Sequence, residues 1–136
     1  MSDRGKVLVV DDDSAIRALV SRVLRRATYA VAEASNGLEA LQKLRAEPYD
    51  TVVLDLMMPV MSGYEVVRYL ETHDDAGVPC IIIMSAAAEQ ALEDARSANV
   101  HALIRKPFEL DTLLAALEQC TREHGGSATT ADDRSG

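Results

Sequence analysis

The sequence predicts a doubly wound α/β domain, a parallel sheet with helices on both faces. Three observations carry that prediction. Short apolar runs such as Val7-Leu8-Val9-Val10 are uninterrupted, which suits strands buried on both sides. Between them apolar residues recur at helical spacing. Five such strand-then-helix units follow one another, the pattern of parallel strands joined by right-handed crossovers.

The first strand is Val7 to Val10, and its helix carries Ile16, Leu19, Val20, Val23 and Leu24 on one face. Ala30-Val31-Ala32-Glu33-Ala34 is a weaker run and is predicted as an edge strand. Asn36 and Glu39 form a capping-box-like start to the second helix, with Leu38, Leu41 and Leu44 expected inward and Glu47-Pro48 ending it. Thr51 to Leu54 is the third strand, and Ser62-x-x-Glu65 opens the third helix with Val66, Val67 and Leu70 on its buried side. Pro79 to Met84 is the fourth strand. The helix after it, about 89 to 98, offers only Ala91, Leu92, Ala95 and Ala98 to a core, so it should lie at the low-stability end of the domain. Ala102-Leu103-Ile104 makes the fifth strand, and Leu110, Leu113, Leu114 and Leu117 mark a strong final helix. Residues 1–124 are expected to form one domain and residues 125–136, which lack apolar anchors, a disordered tail.

At 136 residues the chain is long enough to bury a core without disulfides or structural metal. A net charge of −8 counts against direct nucleic-acid binding, whose affinity comes from basic side chains meeting phosphates. Cys80 and Cys120 stand apart in the sequence with no metal-type spacing and read as small buried hydrophobes in a reducing compartment. His73, His101 and His124 read as solvated surface residues. No stretch has the apolar length of a membrane span and no secretory leader is visible, so no membrane contact and a cytoplasmic location are expected.

In an open parallel sheet, ligands bind beyond the carboxyl ends of the strands, where strand order reverses. Asp11 and Asp12 end strand one, Asp55 strand three and Ser85 strand four, and Lys106 follows strand five. Singly each has a plain structural explanation: an acid run that caps a helix, a turn aspartate, a capping serine, a solvated lysine. Jointly they place two acids for a hard cation, a carboxylate nucleophile, a hydroxyl and an ammonium at one edge. Three carboxylates so close repel, which should raise at least one pKa, and a divalent cation would relieve that repulsion. Oxygen ligands in a partly solvated site favour Mg²⁺.

At these residues the sequence resembles the receiver domain of two-component response regulators, including the single-domain chemotaxis type. Val9-Val10-Asp11-Asp12, Leu54-Asp55-Leu56-Met57-Met58-Pro59 with Ser62-Gly63, Met84-Ser85-Ala86 and Lys106-Pro107-Phe108 carry the likeness, which spans residues 6 to about 120. The resemblance implies a flavodoxin-like (βα)5 fold with strand order 2-1-3-4-5. It also implies Asp55 as phosphoacceptor, Asp11, Asp12, Asp55 and the Met57 backbone carbonyl as Mg²⁺ ligands, Ser85 as switch hydroxyl, Lys106 as phosphoryl contact and Pro107 as a cis-proline. A sensor histidine kinase or histidine phosphotransfer domain would supply the phosphate. A downstream protein target would read the surface of the fourth helix, fifth strand and fifth helix, and two copies can pair through the same face. The chain departs from the family at Leu103, where an aromatic switch residue is usual, and at Asn99, where glycine is usual. Aliphatic Met57 and Ala87 beside the phosphate are expected to place water poorly and give a long-lived phosphoform.

Three other readings compete. A phosphatase of the haloacid dehalogenase type would use Asp11-x-Asp13, but leaves Asp12 and Asp55 idle and lacks a later strand-end acid pair. A nucleotide-binding fold needs glycines where the first turn is rich in aspartate. A receiver-like module that never takes phosphate is the third reading, kept open by Leu103.

Overall fold

The computed structural model describes residues 4–72, 79–86 and 100–122. Five parallel strands, β1 (Lys6–Val10), β2 (Ala30–Ala34), β3 (Thr51–Asp55), β4 (Cys80–Ser85) and β5 (Val100–Arg105), lie in the order β2-β1-β3-β4-β5. Four helices are described: α1 (Ser14–Arg26), α2 (Gly37–Ala46), α3 (Gly63–Thr72) and α4 (Leu110–Cys120). The helix expected near 89 to 98, together with Ala87, Asn99, His73, His124 and the tail, lies outside the described residues.

Strand alternation divides the core into two layers. Leu8, Val10, Val52, Leu54, Ile81 and Ile83 pack with Ala40 of α2 and Val66, Val67 and Leu70 of α3. Val7, Val9, Val53, Ile82 and Met84 point the other way, onto Val20 and Leu24 of α1 and Leu113 and Leu117 of α4. Because both faces are covered, β1, β3 and β4 need apolar residues at nearly every position, which is why they read as unbroken runs. β2 lies at the sheet edge and is only partly buried, as its weaker sequence implies.

Helix starts follow local chemistry. The Asp13 carboxylate accepts the Ala15 and Ile16 N–H groups at 2.9 and 3.1 Å and caps α1. Asn36 caps α2 by accepting the Glu39 N–H at 2.8 Å, but Glu39 reaches back to the Ser35 N–H and hydroxyl, one residue before the cap. The box therefore closes over a wider turn than the sequence pattern implies.

The structure corrects several inward and outward assignments. Leu19 and Leu38 are exposed: the buried residues of α1 are Val20, Ser21 and Leu24, and those of α2 are Ala40 in the core layer and Gly37 against the Met61 loop. The small residues let α2 approach closely: a Cβ on Gly37 would lie 2.3 Å from the Met61 carbonyl oxygen. β5 begins two residues before the expected Ala102, at Val100, with a bulge opposite Ile81 and Ile82. Cys80 and Cys120 are not separate thiols: α4 folds back over the sheet and brings them into a disulfide. His101 is only partly solvated and lies beside them, with a ring nitrogen and both sulfurs within 4.8 Å of one another. Contacts between residues so distant in sequence leave no mark in local spacing.

Candidate functional site at the strand ends

β1 and β3 are neighbours in register, Val10 opposite Leu54, so the residues that follow them emerge side by side. Carboxylate oxygens of Asp11, Asp12 and Asp55 lie within 4.8 Å of one another. Asp11 and Asp55 are buried, whereas Asp12 is exposed and leaves one side of the cluster open to water.

Lys106 holds the buried pair together. Its Nζ donates to Asp11 Oδ2 at 2.9 Å and to Asp55 Oδ2 at 3.1 Å, with its side chain only 15% exposed. The backbone brings it there: the Lys106 N–H donates to the Ser85 carbonyl at 2.9 Å, and the Lys106–Pro107 peptide is cis. One ammonium thus serves two low-dielectric carboxylates, so removing the lysine would leave two buried negative charges with no counter-charge.

The acids are also fixed from their other sides. Asp11 Oδ1 accepts the Asp13 N–H at 2.9 Å, and Asp55 Oδ1 accepts the Met57 N–H at 3.1 Å. Arg17 donates to the Asp11 carbonyl at 2.6 Å while its Nε meets Glu33 at 3.2 Å, tying the β1 end to α1 and β2. Arg17 was not singled out in the sequence. Its only signal there is a cation one helical turn beyond an acid run. Gly63, which follows Ser62 in the motif, is the other support: a Cβ would sit 2.5 Å from the Asp55 carbonyl oxygen and 2.7 Å from the Leu56 Cα. Only a residue without a side chain lets α3 start against the loop that carries Asp55.

Burial pushes the Asp55 carboxyl up from its ordinary range, partly opposed by the Met57 N–H and by Lys106. Desolvation is the larger cause, and repulsion from Asp11, the cause anticipated from the sequence, is a smaller contribution in the same direction. Burial alone would lower the Lys106 pKa, but its hydrogen bonds to Asp11 and Asp55 outweigh that and raise it.

Ser85 is buried at the end of β4, one residue beyond Met84, the register partner of Asp55. Leu103 lies partly buried in β5, three residues before Lys106, and packs into the α2–α3 layer. The Met57 side chain is exposed. Asp13 is committed to capping α1 through its carboxylate, so the Asp11-x-Asp13 phosphatase reading loses its second acid.

Comparison with known proteins points to one family. The sequence model described as "Response regulator receiver domain" matches residues 7–118. The transcriptional regulatory protein PrrA of Mycobacterium bovis is 34% identical over 128 residues, covering 94% of this chain and 54% of PrrA. The chain thus spans about half the length of such relatives. The chemotaxis protein CheY of Listeria monocytogenes is 34% identical over 119 residues, covering 86% of this chain and 98% of that protein. Among solved structures, Vibrio cholerae CheY4 superposes with a TM-score of 0.79 at 31% identity, over 87% of this chain and 99% of that one. Response regulator TrrA of Thermotoga maritima, solved in complex with Mg²⁺-BeF, gives 0.76 at 32% identity, over 88% and 99%. With its sheet order, strand-end acids and sequence matched across this family, the chain belongs to the receiver domains of two-component response regulators, the phosphorylation-activated switches of that signalling system.

Proposed function

We propose that Asp55 is the phosphoacceptor of this receiver, and that Asp11, Asp12, Asp55 and the Met57 backbone carbonyl hold Mg²⁺ beside it. The observation that carries this reading is the Lys106 ammonium shared between Asp11 and Asp55, within a cluster of three carboxylates open on the Asp12 side. The donor set fits the ion: oxygen ligands only, with an exposed carboxylate that leaves room for the waters Mg²⁺ retains. When bound, the cation supplies charge neutralisation for an incoming phosphoryl group.

In the transfer, an Asp55 carboxylate oxygen forms the new O–P bond as the P–N bond of a donor phosphohistidine breaks, and the imidazole leaves. Lys106 is held at the site and supplies positive charge to the phosphoryl oxygens. Ser85 offers its hydroxyl from the adjacent strand end, and its approach to the phosphate would carry the change into β4, β5 and α4. The partners are then a sensor histidine kinase or a histidine phosphotransfer domain, and a protein target that reads the altered surface, with pairing of two copies through that face as a further outcome. The domain assists its own phosphorylation and dephosphorylation without turning over a separate substrate. Its place is the cytoplasm, where such donors are charged. Aliphatic Met57 supports a slow loss of phosphate.

The test is Mg²⁺-dependent labelling by acetyl phosphate, followed by intact mass. One phosphate per chain, lost in Asp55→Asn and in the presence of chelator, is the expected result. Labelling that survives Asp55→Asn moves the acceptor elsewhere, and continuous release of phosphate from a generic ester would revive the phosphatase reading.

A further inference from the structure

At the edge of the sheet opposite Asp55, β4 begins with Cys80, and α4 ends with Cys120. Their Cα atoms are 6.0 Å apart across a sequence separation of 40, and the two are joined in a disulfide. Both are fully buried. His101 reaches them through the β5 bulge: Ile81 pairs with Val100 and Ile82 with Ala102, so His101 is the residue the bulge takes up. Val100 packs into the α2–α3 layer and Ala102 into the α1–α4 layer, so the strand changes face across that one residue. A bulge re-aims a side chain in this way. It leaves a His101 ring nitrogen within 4.8 Å of both sulfurs.

We propose that Cys80, His101 and Cys120 form a reversible thiol–disulfide site that sets how firmly α4 is fastened to the sheet. The Cα spacing suits a disulfide without backbone movement. Position also separates the two cysteines by role. Cys120 closes α4 and can reach solution by local opening of that helix end, whereas Cys80 is anchored in the sheet next to β3 and β5. Cys120 is therefore the thiol that meets a small disulfide from solution.

Its thiolate attacks that disulfide, forming a mixed disulfide and releasing one small thiolate. The Cys80 thiolate then attacks the Cys120 sulfur, closes the protein bond and releases the second. Two protein thiols are oxidised, one small disulfide is reduced to two thiols, and the protons given up by the cysteines pass to the leaving thiolates. A His101 ring nitrogen lies within 4.8 Å of both sulfurs and can take up a thiol proton after a small approach. The consequence for signalling rests on the receiver reading, under which α4 belongs to the output surface; the thiol chemistry does not.

The experiment equilibrates the whole chain in glutathione buffers from reducing to oxidising. It then quenches with acid, alkylates under denaturing conditions and reads intact mass, with hydrogen exchange of α4 amides measured in each state. Two populations are expected, both thiols alkylated or neither, with α4 amides exchanging at least severalfold more slowly in the closed form. Cys80→Ser should accumulate glutathione on Cys120 faster than Cys120→Ser does on Cys80, and His101→Gln should slow closure while leaving its end point. Thiols that never close, a bond that native protein never opens under reducing buffer, or equal α4 exchange in both states would overturn the proposal. So would stoichiometric zinc retained by the reduced protein, which would assign the cluster to a metal. Failure of acetyl phosphate to label Asp55 would count against the phosphoacceptor reading and leave the thiol result unchanged.

Discussion

Asp55 and Lys106 set the residue scale, because two buried carboxylates compete for one ammonium. Asp55→Asn leaves Lys106 and Asp11 as a one-to-one pair and removes a desolvated charge. It should stabilise the metal-free protein by about 1 kcal/mol, or roughly 3 °C in Tm. Lys106→Ala does the reverse and should cost about 3 kcal/mol by leaving both carboxylates buried without a counter-charge. Urea unfolding in chelator measures both, and the double variant should be more stable than the sum of the single effects. A lower midpoint for Asp55→Asn would contradict this account. Glu39 gives a pH signature of its own. The Ser35 backbone N–H, then the Ser35 hydroxyl, hold its pKa below the ordinary 4.5. Its contribution is therefore complete above that value and is lost as pH falls through the folded-state value. Glu39→Gln should cost about 1 kcal/mol at neutral pH, as expected for losing charge-assisted hydrogen bonds. Its stability should converge on that of the natural chain below pH 4.5, measured by unfolding across an acid series.

Elements carry the site through their ends. β1 and β3 present acids because they stop together, and α3 can begin beside Asp55 only because Gly63 has no side chain. The clash it avoids is with backbone, the Asp55 carbonyl and the Leu56 Cα, which cannot swing aside as a flexible side chain would. Gly63→Ala should therefore destabilise the domain by about 2 kcal/mol, within the range for overpacking, and slow labelling of Asp55. Normal labelling kinetics with an unchanged unfolding midpoint would show that α3 can retreat freely. Leu38 is a different lesson at this scale. It fits an apolar helical pattern, yet the buried side of α2 is made by Ala40 in the core layer and Gly37 against the Met61 carbonyl, and Leu38 lies on the exposed side.

For the whole molecule, stability and function meet in the cation. An ion that binds only the folded arrangement stabilises it by mass action, about 2.7 kcal/mol at a hundredfold excess over its dissociation constant. Mg²⁺ should therefore raise Tm in a concentration-dependent way, and Asp55→Asn should lose most of that rise. A Tm indifferent to Mg²⁺ in the natural chain would argue against the proposed ligand set. The disulfide acts at the same scale from the opposite edge of the sheet, since it joins the start of β4 to the end of α4.

The sequence by itself determined the alternation of strands and helices, the edge position of β2, and the arrival of Asp11, Asp12, Asp55, Ser85 and Lys106 at the strand ends. Those features are written in periodicity and in residues adjacent to apolar runs, so a local reading finds them. Tertiary structure decided which leucines face inward, how Arg17 and Gly63 support the acids, where β5 bulges, and that Cys80, His101 and Cys120 meet. Each of these depends on contacts between segments far apart in the chain. Such contacts arise only when helices settle on the sheet and side-chain volumes and backbone distances are resolved together.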